Sequence, residues 1–183
     1  MRKAILGIGL LVTAFLVSAA GLRGASPGPR AGAGQAEKAV KTPSTVILEN
    51  WNDVNDKLVA MAEDWPEEKY VYRPNDEVRT FEQVLLHIAG SNYELIIRIS
   101  GKKLGDADND PSTETYKTKA QVVAYLKKSE TDGAAAIQAG GDAGALKNLN
   151  MWVGYIEHSG EHYGQLVVYY RNNKVVPPDS RKK

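Results

Sequence analysis

Apolar residues return every three or four positions in four stretches of the chain, the period of an α-helix buried along one face. In the first stretch Ile47, Trp51, Val54, Leu58 and Met61 keep that spacing. Thr42-Pro43 stands ahead of it: a hydroxyl N-cap, then a proline at the first helical position, where its missing N–H is not needed. Asp64-Trp65-Pro66 ends it, because proline cannot continue the hydrogen-bond ladder. In the second stretch Phe81, Val84, Leu85, Ile88, Leu95, Ile96 and Ile99 form one stripe. Thr80-Phe81-Glu82-Gln83 at its start matches a capping box, and Gly101 supplies the stop. The third opens on a second such box, Thr118-Lys119-Ala120-Gln121, with Val122, Leu126 and Ile137 as core contacts and Gly140-Gly141 as its predicted end. The fourth begins near Asn148 or Asn150 and runs to Asn172-Asn173. Met151, Tyr155, His158, His162, Leu166 and Tyr169 share its inward face, so the histidines are expected in the middle of the buried stripe. Ile156, Gly160 and Val167 align on the other side. A helix apolar on two sides is either central or meets another chain, and a homodimer contact is the expectation there.

The connections sharpen the architecture. Residues 67–79 are polar, with Tyr70 and Tyr72 ahead of Arg73-Pro74. Residues 101–117 are charged, rich in turn formers and too long for a tight helical hairpin, which predicts a crossing over the bundle end. No alternation is long enough to build a sheet. The pattern therefore predicts an all-α fold: a four-helix bundle with long crossover connections over residues 42–180.

Ahead of the bundle the pattern changes. Met1-Arg2-Lys3 is a short basic start, and residues 4–20 follow without a charge. With the small residues after them, they predict a secretory signal peptide over residues 1–25. Seventeen residues make a helix of about 25 Å, short for a bilayer core of about 30 Å, which favours cleavage over an uncleaved membrane anchor. The expected location is exported, periplasmic or extracellular, with no membrane association after cleavage. Residues 26–41, rich in Gly, Ala and Pro, read as a flexible linker.

Charge and composition then narrow the function. Residues 1–36 hold four basic side chains and no acid, so the remainder carries 19 basic against 22 acidic residues, a net −3. Dispersed, mildly acidic charge offers no footprint for nucleic acid. The chain has no cysteine, so neither a thiolate nucleophile nor a thiolate ligand is available. A metal site would have to use histidine and carboxylate.

Only three histidines occur in the chain. His158 and His162 stand one helical turn apart, a spacing that stacks two imidazoles on one face and serves helical metal motifs. Such pairs also arise as ordinary core residues. His87 lies in the second stripe beside Ser91 and Glu94, and a third imidazole on a facing helix would complete a set suited to Zn²⁺, Ni²⁺ or Fe²⁺. Ser159 occupies the place where the His-Glu-x-x-His protease motif has its glutamate, which removes that reading. Glu157 and Glu161 are read as solvated carboxylates, with Glu161 as an alternative ligand-orienting group or base. Gln165 is a candidate to hydrogen-bond across the bundle or to hold a ligating histidine in place. Tyr93, Tyr155 and Tyr169 read as core aromatics.

Two sets of residues carry a resemblance. Tyr70-Val71-Tyr72-Arg73-Pro74, Arg79-Thr80-Phe81 and Leu86-His87-Ile88-Ala89 form one. His158-x-x-x-His162-Tyr163-Gly164-Gln165-Leu166, Tyr170-Arg171 and Val176-Pro177-Pro178 form the other. Together they resemble the DinB-like superfamily of metal-dependent four-helix-bundle proteins over roughly residues 44–180. The resemblance implies a metal site of His87, His158 and His162, frequent dimers, and relatives that include thiol-dependent transferases and isomerases. The expectation is an exported metal-binding protein, a metal-dependent enzyme of thiol-transferase-like or hydrolase-like chemistry on an unknown small molecule. The alternative is a non-catalytic metal- or ligand-binding envelope protein. No residue is assigned a catalytic role.

Overall fold

The computed structural model describes residues 40–101 and 111–181. The signal peptide expected over residues 1–25 lies outside them, as does the linker except for Val40 and Lys41. The described residues form four helices and no strand: α1 Pro43–Asp64, α2 Phe81–Ile99, α3 Lys119–Lys147 and α4 Leu149–Asn172. The start signals act as the sequence predicts. The Thr42 hydroxyl accepts from the Thr45 N–H, and Pro43 is the first helical residue of α1. Thr80 and Thr118 each head a complete capping box, with Gln83 and Gln121 reaching back to the cap N–H.

Cross-contacts fix the topology. Lys119 Nζ at the start of α3 donates to the Glu63 and Trp65 carbonyls at the end of α1. Trp65 also stacks on Phe81 at the start of α2 and meets Tyr170 near the end of α4. These four helix ends therefore share one end of the bundle. Helices α2 and α3 run in the same direction, so the end of α2 and the start of α3 lie at opposite ends of the bundle; the crossing expected of residues 101–117 falls largely outside the described residues. Around the bundle the order is α1, α3, α2, α4, with α1 and α2 on one diagonal.

One expectation gains a detail and another is corrected. Gly140-Gly141 ends the first helical run of α3, as the sequence predicts: Gly141 takes φ 55, ψ −160, far from helical values, and a second short run continues beyond this kink to Lys147. Asn148 alone then separates α3 from α4, so the long connections are the first two. Asp142, just past the kink, accepts from both the N–H and the hydroxyl of Ser44, fastening the start of α1. In α4 the buried residues are Trp152, Ser159, Leu166, Tyr169 and Tyr170; Leu166 and Tyr169 lie inward as expected, but the centre of the buried face is turned about 100° around the helix from His158. The histidines stand at the margin of the buried face, half-buried, with one edge toward solvent. Ile156 and Val167 pack against the core, whereas Val153, Gly160, Gly164 and Val168 are exposed.

Two apolar clusters fill the interior. One gathers around Trp65, Phe81 and Tyr170, the other around Trp51 and Trp152, whose rings meet edge-on at 5.8 Å. Between the helices a buried polar link joins three of them: Asn92 Nδ2 on α2 donates to Asn55 on α1 and to Ser129 on α3. Among the described residues no helix is long and apolar enough to cross a membrane.

Candidate metal centre

Helices α2 and α4 are antiparallel neighbours, so matching faces meet along their length. The face of α2 that carries His87, Ser91 and Glu94 lies against the face of α4 that carries His162, His158, Tyr155 and Met151. All three imidazoles of the chain come together there, and one ring nitrogen from each lies within 4.8 Å of the other two. His158 is the pivot. Its Nε2 is 3.1 Å from Nε2 of His87 and 3.1 Å from Nε2 of His162.

That double contact has a chemical consequence. A neutral imidazole nitrogen offers either one proton or one in-plane lone pair. The single group on His158 Nε2 cannot make a good hydrogen bond to two nitrogens at once. Three lone pairs directed at one cation satisfy all three. Nitrogens bound to one ion at about 2.1 Å stand roughly 2.9 to 3.4 Å apart for right-angle to tetrahedral arrangements. The observed 3.1 Å falls within that interval. The donor set fits a borderline divalent ion that prefers nitrogen ligands.

Protonation state agrees. Burial is the largest influence on His158 and lowers its pKa from 6.5 to about 4; the neighbouring His162 and His87 rings and the Arg79 guanidinium act in the same direction, with Glu94 opposing. His158 is therefore neutral at neutral pH, the form a metal requires. Its Nδ1 is buried with no hydrogen-bond partner among the described residues.

His162 is held differently. Its Nδ1 lies 2.8 Å from Oε1 of Gln165. The Gln165 amide nitrogen donates to the Tyr169 hydroxyl at 3.0 Å, and that hydroxyl donates to the Arg79 carbonyl at 2.7 Å. Arg79 immediately precedes the Thr80 cap, so its carbonyl lies outside the ladder of α2 and is free to accept.

Beside the rings a cavity of about 460 Å³ runs between α2 and α4, lined by His87, Ser91, Glu94, Met151, Tyr155 and His158, among others. Glu94 is the acidic group on its wall. Arg98 clamps it through Nε and Nη2 at 2.7 and 2.5 Å. The Tyr155 pKa is raised by burial first and then by Glu94.

The structure thus brings His87, His158 and His162 together and leaves Glu157 and Glu161 exposed. Tyr93 lies apart, donating to Asp132 at 3.2 Å. Four participants escape a reading by residue type. Tyr169 is a buried core aromatic that also ends the His162 relay. Tyr155 and Met151 line the cavity, and their spacing of one and two turns from His158 is the signal that points to them. Arg79 sits in a connection, where no periodicity marks it.

Comparison with curated proteins returns no match. A family model described as the DinB superfamily matches residues 50–166, a span that contains every imidazole of the cluster.

Proposed function

Because the chain belongs to the DinB superfamily, we propose that His87, His158 and His162 bind one divalent ion of zinc, nickel or iron. We read the protein as an exported metal-dependent enzyme of the transferase or hydrolase kind, acting on a small molecule. The observation that carries the reading is His158 Nε2, 3.1 Å from two other imidazole nitrogens, an arrangement that hydrogen bonding alone leaves unsatisfied. The basic start and uncharged run of residues 1–20 support export.

A bound ion would supply Lewis acidity, polarising a bound group or lowering its pKa. The chain's own residues supply the remainder. Three ligands from two helices leave coordination positions for other groups, and the cavity between α2 and α4 gives a small molecule access to the His87 and His158 rings. Met151 and Tyr155 offer it apolar surface, while the Ser91 hydroxyl and the Glu94 carboxylate offer polar contacts on the facing wall.

Elemental analysis of protein purified without a histidine tag tests the first step. Near-stoichiometric metal is expected, lost in His87→Ala and in His158→Ala. Wild-type protein that stays metal-free after incubation with Zn²⁺, Ni²⁺ and Fe²⁺ would sink the reading. Turnover of thiol-transfer or ester substrates by the metal-loaded protein, absent in His158→Ala, separates an enzyme from a protein that only binds metal or ligand.

A further inference from the structure

We infer that Gln165 and Tyr169 are positioning residues that fix His162 as its Nδ1–H tautomer and hold its Nε2 bare toward His87 and His158. The consequence for metal affinity rests on the metal-binding reading above; the tautomer itself does not.

The direction of the relay follows from its far end. The Arg79 carbonyl has no proton, so the Tyr169 hydroxyl donates to it across 2.7 Å. Tyr169 is only 2% exposed, and burial raises its pKa, so the phenol keeps the proton it donates. With that proton committed, its oxygen can only accept, and the Gln165 amide nitrogen is the donor at 3.0 Å. The amide is thereby turned with Oε1 toward His162, 2.8 Å from Nδ1. A carbonyl oxygen accepts, so Nδ1 must carry the proton. A neutral imidazole has one N–H, which leaves Nε2 with its lone pair. Flipping the amide would set its oxygen against a phenol whose proton is already given away and its NH₂ against Nδ1. One polar contact would then lack a proton.

The relay does more than orient one ring. Gln165 and Tyr169 follow His162 at i+3 and i+7 on α4, while Arg79 belongs to the approach to α2. A single backbone carbonyl therefore ties the tautomer of one ligand to the docking of α4 against the start of the helix that carries another. Outer-shell partners of this kind affect metal affinity by about 10–100-fold.

The test uses full-length protein labelled with ¹⁵N-histidine and stripped of metal, studied by long-range ¹H–¹⁵N correlation above the imidazole titration range. With three histidines, single His→Ala variants assign every ring. Wild type should show His162 protonated on Nδ1 alone. Gln165→Glu, which keeps an acceptor, should preserve that signature. Gln165→Leu and Tyr169→Phe should mix the two tautomers. Competition with a chromophoric chelator should then show zinc affinity reduced about 10–100-fold in Gln165→Leu and retained in Gln165→Glu. A wild-type His162 protonated on Nε2 would overturn the inference, and so would a Gln165→Leu variant with unchanged tautomer. If wild type binds no zinc, the metal reading falls, while the tautomer in the metal-free protein still decides this inference.

Discussion

His158 shows how much one side chain can depend on its neighbours. Sequence spacing places it a turn from His162, but its neutral state comes from burial and from two rings that would repel a charge. Gly133 makes the same point through size. A Cβ built there would lie 2.1 Å from the Trp51 ring. Trp51 is fully buried, and its indole N–H is fastened to the Glu130 carbonyl at 3.0 Å. The ring has nowhere to move. Gly133→Ala should therefore destabilise the protein by about 1–3 kcal/mol, the usual cost of overpacking, despite alanine's better helix propensity. Urea unfolding measures it, and an unchanged midpoint would show that α1 and α3 can separate at this point. From the sequence alone this glycine only weakens a helix; its use appears when α1 is seen against it.

At the scale of elements, local signals set where helices begin. Thr42, Thr80 and Thr118 each cap the helix that the pattern predicts, because a cap needs only residues a turn away. Thr80→Ala should cost about 1 kcal/mol in chemical unfolding, and a neutral result would mean that Arg79 and Tyr169 hold the start of α2 unaided. Ends and junctions obey longer-range contacts. Gly141 breaks its helical run as it reads, but the short run beyond it, with Asp142 anchored by Ser44, carries no such local signal. Packing of α1 on α3 also creates a pH dependence. Burial is the main cause that raises the Glu130 carboxyl from 4.5 to about 7, with a hydrogen bond to Asp56 next. The folded state then holds the proton more tightly than the unfolded chain. Its stabilising effect is complete below about 4.5 and disappears as pH rises through about 7. Glu130→Gln should therefore melt higher than wild type above pH 7, with the difference shrinking on acidification. A difference independent of pH would overturn that account.

For the whole molecule, the cluster bridges α2 and α4, so an ion that binds only the folded chain must stabilise it. At a free concentration a hundredfold above Kd the gain is about 2.7 kcal/mol, a rise in Tm of roughly 5–10 °C for a domain of this size. Calorimetry with Zn²⁺ should show it, a chelator should reverse it, and His158→Ala should lack it; equal shifts in wild type and variant would place the zinc elsewhere. The same scale separates what the chain states locally from what folding adds. Apolar period, threonine caps and proline stops determine four helices, because each depends on residues within a turn or two, and the motifs around the three histidines carry the family resemblance. Tertiary structure alone decided that α2 and α3 run parallel, that α4 turns Trp152 and Tyr170 inward and leaves its histidines at the margin, and that Arg79 reaches Tyr169. Those outcomes depend on which faces meet across the bundle. Side chains 71 residues apart acquire a 3.1 Å contact only when two whole helices pack, and no local pattern encodes that distance.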